Sequence, residues 1–122
     1  MEIQNNNDDK NNDSFIELYE QAVAEALLIF GRNIKGLISL YLKEKYSINR
    51  IGYTAANPKI LLESLGMILN GGSGIAQRRI LRLLYNKMGI ELSFDITVNF
   101  EEKILKAIKE FENKRHYHST YF

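Results

Sequence analysis

The chain has no cysteine in its 122 residues. That single absence removes disulfide bridges, thiolate metal sites and thiol nucleophiles together. Histidine is nearly absent too: His116 and His118 both sit in the closing stretch "KRHYHSTYF". A Ser-His-acid arrangement would have to be assembled from that end of the chain. The H-x-H pair has a metal-ligand spacing, but no further ligands stand nearby, and catalytic zinc takes three protein ligands. Long apolar runs are missing as well, since a membrane helix needs roughly 20 such residues. The opening "MEIQNNNDDKNNDS" is polar and acidic, the reverse of an export signal with its basic start and apolar middle. These absences lead us to expect a soluble, cytoplasmic protein with no metal, no cofactor, no membrane association and no catalytic residues.

What is present is ordinary for a globular protein: 45% hydrophobic and 25% charged residues. The length suits one domain. Charge is unevenly spread. Residues 1–30 hold seven acids against Lys10, whereas residues 31–122 hold fifteen bases against eight acids. Two readings stay open: contact with nucleic acid, or an acidic first helix packed beside basic ones.

Residues 1–12 carry too little apolar content to offset ordering and read as a disordered polar tail. Ser14 and Glu17 fit a capping box at a helix start. Phe15, Leu18, Ala22, Ala26, Ile29 and Phe30 then recur at helical spacing, and Gly31 interrupts the run. A second helix is expected from about Arg32 to Tyr46, with Ile34, Leu37, Ile38, Tyr41 and Leu42 inward. "SINRIGYTAAN" has no sustained period and reads as a connector. Asn57 and Pro58 mark the start of a third helix, which Gly71 ends. Its apolar residues spread nearly all round, so it is expected to be central and buried. Ser73 is expected to cap a fourth helix that ends at Gly89. "IELSFDITV" alternates in steps of two and reads as an extended segment. The closing helix places Phe100, Ile104, Leu105, Ile108 and Phe111 on one side, with Lys103, Lys106, Lys109 and Glu110 mostly on the other.

The fold class that follows is all-α, a compact bundle of four to five helices with a short extended segment near residues 90–98. Its organisation is a tail at 1–12, one helical domain at 13–114 and a flexible aromatic and histidine tail at 115–122.

"NGGSGIAQRRILRLLYNKMG", residues 70–89, holds the candidate sites. Its glycines match neither G-x-x-x-x-G-K-[ST] nor G-x-G-x-x-G, so no nucleotide motif is present. Gly72, Ser73 and Gly74 remain either an anion-binding turn at a helix N-terminus or a tight turn needing positive φ. Between Glu63 and Glu91 no acid occurs, while Arg78, Arg79, Arg82 and Lys87 do. Ala76, Ile80, Leu83, Leu84 and Met88 form the expected buried stripe, and the cations lie off it. That basic face, or the aromatic tail at 115–122, is the expected contact surface for a protein partner or a second copy of the chain. The alternative is a reading helix, residues 74–88, applied to DNA or RNA.

"YLKEKYSI", a loop, "PKILLESLGMIL", a glycine-rich turn and "IAQRRILRLLYNKMGIEL" together resemble a small archaeal helical family, the Nitrosopumilus output domain (type five) of signalling proteins. Tyr41, Leu42, Tyr46 and Ile48 match its YL-x-x-K/Y-Y-x-I helix end. Leu84, Tyr85, Lys87, Gly89 and Ile90 match its L-Y-x-K-L-G-I segment, with Met88 in place of leucine, a volume-conserving change. The resemblance covers about residues 20–110. It implies a helical fold and a regulatory, signal-output role by protein contact, and it brings no catalytic residues.

Overall fold

The computed structural model describes residues 2–93 and 99–120, with side chains over 14–93 and 99–113. Among them the chain is all-α. Five α-helices run in the order α1 (Glu2–Leu27), α2 (Ile34–Tyr46), α3 (Pro58–Leu69), α4 (Ser73–Met88) and α5 (Phe100–Thr120). Three 3₁₀ turns lie between them: η1 (Leu28–Phe30), η2 (Ile51–Ala56) and η3 (Asn70–Gly72).

The core is built on α1 against α4, the most extensive helix pair. Phe15, Tyr19, Ala22, Val23, Ala26 and Leu27 are buried along α1, a three- and four-residue recurrence that keeps one face inward. Ile29 was expected on that face but is 54% exposed. It lies in η1, where the tighter 3₁₀ winding breaks the register of the helix before it. Gly31 then takes φ 116° and ψ 158°, a region essentially reserved for glycine. It therefore separates α1 from α2 and does more than weaken a continuous helix.

Several expectations shift. The capping box is not formed at a helix start, because α1 is continuous through Ser14. The stretch expected as a tail, 1–12, falls from residue 2 within the bounds of α1, and its side chains lie outside the described ones. The expected tail at 115–122 overlaps α5, which is drawn to Thr120; its side chains, His116 and His118 included, also lie outside the description. Of the expected extended segment, residues 94–98 are outside it, and residues 90–93 form no regular element.

Helix α3 is not the central one. Leu61, Ser64 and Leu65 are buried, but Met67 is 63% exposed. Burial follows position between neighbours, and α1 with α4 occupies the middle. In α5, Lys103 is buried beside Phe100, Ile104 and Ala107, while Leu105 is exposed. The helical step explains the exchange: position 103 stands with 100, 104 and 107 on one face, and 105 stands opposite. A lysine stem tolerates that site because its methylenes pack like an aliphatic chain. At the start of α5, Asn99 Oδ1 accepts the Glu102 N–H at 2.7 Å, satisfying one of the open donors of the first turn.

The connector after α2 is more ordered than its sequence implied. Helix α2 closes with Ser47 in the left-handed region, where Ser47 N–H bonds Lys43 C=O and Ile48 N–H bonds Leu42 C=O. With its N–H on Lys43 C=O at positive φ, Ser47 forms the left-handed cap that usually recruits glycine. Turn η2 then buries Ile51, Gly52, Thr54 and Ala55 against α1. Thr54 Oγ1 donates to Ile51 C=O at 2.7 Å and lies 2.8 Å from Tyr19 Oη. With the threonine proton committed, the tyrosine donates. Burial pushes the Tyr19 phenol pKa well up, so it stays a neutral donor.

Candidate functional site

The inward face of α4 carries Ala76, Ile80, Leu81, Leu84, Tyr85 and Met88. Leu83, expected in that stripe, is half-buried, and Leu81 and Tyr85 fill it instead. Tyr85 Oη donates to Lys103 C=O at 2.8 Å, tying α4 to α5. Opposite this face Ile75, Arg78, Arg82 and Asn86 are exposed at steps of three and four residues, so they form one outward line.

The four candidate cations do not act together. Arg79 is half-buried, and its Nε donates to the Ala26 carbonyl at 3.3 Å. That carbonyl belongs to the last turn of α1, where helix acceptors have no partner within the helix. Lys87 forms an ion pair with Glu25 at 2.7 Å. Both therefore fasten α4 to α1. Arg78 and Arg82 make no hydrogen bond or ion pair with the described residues, and these two alone of the four remain open on the outer face.

The glycine-rich turn is a helix junction with a different logic from the one its sequence suggested. η3 runs straight into α4, and Ser73 is the first residue of that helix, not its cap. Ser73 Oγ instead accepts from Gln77 Nε2 at 3.1 Å. The positive φ falls on Asn70, at φ 50° and ψ −115°. Gly72 lies in close approach to η1: a Cβ there would stand 3.0 Å from Phe30 Cε1, so a larger residue would need that ring to shift slightly. Gly74 faces open space.

A polar centre that the sequence did not reveal lies between α2 and α3. Glu63 accepts from Tyr41 Oη at 2.6 Å, Tyr46 Oη at 2.7 Å and Lys45 Nζ at 2.6 Å. The Lys45 ammonium also stands 5.6 Å from the ring centroids of both tyrosines, within cation–π range. The Lys45 hydrogen bond, then those from the two tyrosines, hold the Glu63 carboxyl down to about 2. The only hint in the sequence was the Tyr41–Lys45–Tyr46 spacing, which does not name its partner on another helix. The cluster satisfies its own charges and works as a lock between helices.

A second lock joins α1 to η2. Glu20 receives Arg50 Nε at 3.0 Å and Arg50 Nη2 at 2.7 Å, and its Oε2 accepts the Gly52 N–H at 3.0 Å. The Arg50 hydrogen bond is the main reason the Glu20 carboxyl pKa is lowered.

Among the described residues no group of three or more His, Asp or Glu is placed to hold a metal, and no helix is long and apolar enough to cross a membrane. Comparison with known protein-family models, curated proteins and solved structures returns no match.

Large apolar side chains are exposed near one end of the bundle: Leu28 at 62%, Ile29 at 54%, Met67 at 63% and Ile75 at 49%. Two contacts bring their elements together. Phe30 of η1 abuts Gly72 of η3, and Arg79 of α4 bonds Ala26 of α1. Leu28 and Ile29 lie in sequence between Ala26 and Phe30, and Ile75 and Arg78 lie between Gly72 and Arg79. Each group therefore lies on a short segment, about 10 Å of axis or less, that is tethered at both ends to the element carrying the other.

Proposed function

We propose that this chain is a small regulatory module that acts by protein contact, with its working surface at the end of the bundle where η1 meets the start of α4. The observation that carries the reading is the exposure of Leu28, Ile29 and Ile75 between two internal tethers, beside Arg78. Exposed apolar side chains on adjoining elements, rimmed by polar ones, support a protein contact. The signal-output role implied by the resemblance agrees with a module of this kind, as does a cytoplasmic setting. The reading assigns no catalytic step.

A photo-crosslinking residue at position 75, with one at position 105 as control, tests this in extract of the source cell. Adducts at 75 that are absent at 105 support the reading. A monomer in sedimentation that gives no adduct at either position defeats it. The nucleic-acid reading keeps Arg78 and Arg82 but loses Arg79 and Lys87 to internal bonds. A gel shift that weakens steeply with salt, and disappears in Arg78→Ala plus Arg82→Ala, would favour it instead.

A further inference from the structure

We infer that the partner for this end of the bundle is an acidic amphipathic helix of another protein, with its apolar face on Leu28, Ile29 and Ile75 and its carboxylates toward Arg78 and Arg82. The inference rests on the protein-contact reading above and adds the chemistry of what is bound.

Charge complementarity decides the occupant. The segments that build this end contain no acid between Glu25 and Glu44, or between Glu63 and Glu91. Glu25 is occupied by Lys87, and Glu63 by Lys45 and two tyrosines. Exposed Arg32 follows η1, and exposed Arg78 and Arg82 follow Ile75. An apolar centre with guanidiniums on its flank selects a ligand that is apolar on one side and anionic beside it. A second copy docking through the same end would set arginines against arginines, and like charges in contact oppose association. Leu28, Ile29 and Ile75 are aliphatic, and the exposed Tyr53 lies in η2, outside these segments, so this end has no exposed Trp or Tyr of the kind that anchors a membrane interface. Methionine suits adaptable helix-binding surfaces. Arg78 and Arg82, one turn apart, each offer a planar fork to a carboxylate, and a helix with apolar residues at i, i+3, i+4 and i+7 presents acids along the neighbouring line.

The test uses the full chain and a labelled model peptide with leucines at i, i+3, i+4 and i+7 and glutamates elsewhere. A version with lysine for glutamate and a scrambled version serve as comparisons, read by fluorescence anisotropy. Vesicles with phosphatidylserine and a short DNA duplex are tested alongside. The glutamate peptide is expected to bind, and the lysine and scrambled peptides are not. Ile75→Asp should weaken binding about tenfold or more. It puts an acid in the first turn of α4, where the dipole favours it, so the fold is not the casualty. Arg78→Glu with Arg82→Glu should weaken binding similarly and flatten its salt dependence, and Leu105→Asp should leave it unchanged.

Equal binding of the lysine or scrambled peptide overturns the inference. So does indifference to Ile75→Asp, or binding of vesicles or duplex without the glutamate peptide. Crosslinks from position 75 to a partner, in a chain that ignores the acidic helix, would retain the protein-contact reading and discard only this partner.

Discussion

Replacing Gly52 with alanine tests how α1 is held. Gly52 is buried in η2, and its N–H donates to Glu20 Oε2. A Cβ at this position would collide with Ile16 Cγ2, and would stand 2.7 Å from Glu20 Cγ and 2.8 Å from Glu20 Oε2. The first two are γ atoms set by χ1, and a β-branched residue in a helix has one strongly preferred χ1, so clearing Ile16 by rotation is costly. The third is fixed by Arg50 and by Gly52 itself. Either η2 or α1 must move. Overpacking of a closed site costs about 1–3 kcal/mol, and the crowding here places Gly52→Ala near the top of that range. For a domain of this size the melting temperature should fall by about 10 °C. Thermal and urea unfolding followed by far-ultraviolet circular dichroism gives both numbers. The midpoint should move without a change in denaturant slope, the sign of altered stability in an unaltered fold. In an Ile16→Ala background the penalty should shrink, with a coupling of about 1 kcal/mol. A cost within about 0.5 kcal/mol, the level of an ordinary surface change, would refute the close approach of η2 to α1. A cost that Ile16→Ala leaves untouched would refute the assigned cause.

Gly31→Ala should destabilise by about 2 kcal/mol although a Cβ there meets nothing, because the cost is in the backbone region itself. Gly36→Ala, inside α2 and equally unobstructed, should stabilise by about 0.5–1 kcal/mol, and the two melts compared test the sign. Asn70→Gly should gain about 1 kcal/mol by relieving a positive-φ position whose φ and ψ lie close to the glycine-preferring corner of a type II′ turn. An unchanged urea midpoint would count against strain at that site. Glu63 has a folded-state pKa lowered from 4.5 to about 2. Its contribution is therefore present above about pH 4.5 and lost as pH falls toward 2. Carboxyl NMR should show Glu63 titrating well below the usual glutamate value, and the stability gap to Glu63→Gln should close across that window; an ordinary midpoint would deny the cluster.

The helical class was legible because periodicity reports it directly: Phe15, Ala22 and Ala26 in α1, and Ala76, Ile80, Leu84 and Met88 in α4, are all buried. Pro58 and Gly89 also mark helix ends as their chemistry suggests. Three things resisted. The apolar wealth of α3 overstated its burial, since composition cannot say which helix has neighbours on both sides. The buried η2 has no period to read, and its anchors Tyr19 and Glu20 are 35 and 32 residues from Thr54 and Gly52, the residues they hold. The cations of α4 looked like one surface because spacing places residues on a helix without saying which of them a second helix will occupy. Arg79 and Lys87 were distinguishable from Arg78 and Arg82 only once α1 was in place.

The charge asymmetry between the first thirty residues and the remainder now has a partial physical account. Glu20 meets Arg50 and Glu25 meets Lys87, so acids of α1 are matched with cations from η2's approach and from α4. The imbalance is in part an internal fastening that orients α1 against its neighbours. Exposed pairs of this sort contribute little stability individually, but like charges in a wrong packing would oppose it, so they favour one arrangement over others. Arg78 and Arg82 lie outside this matching. They point away from α1 on a helix whose other cations have found partners within the fold. Their exposure beside Ile75 is the observation on which the proposed anionic and apolar partner rests.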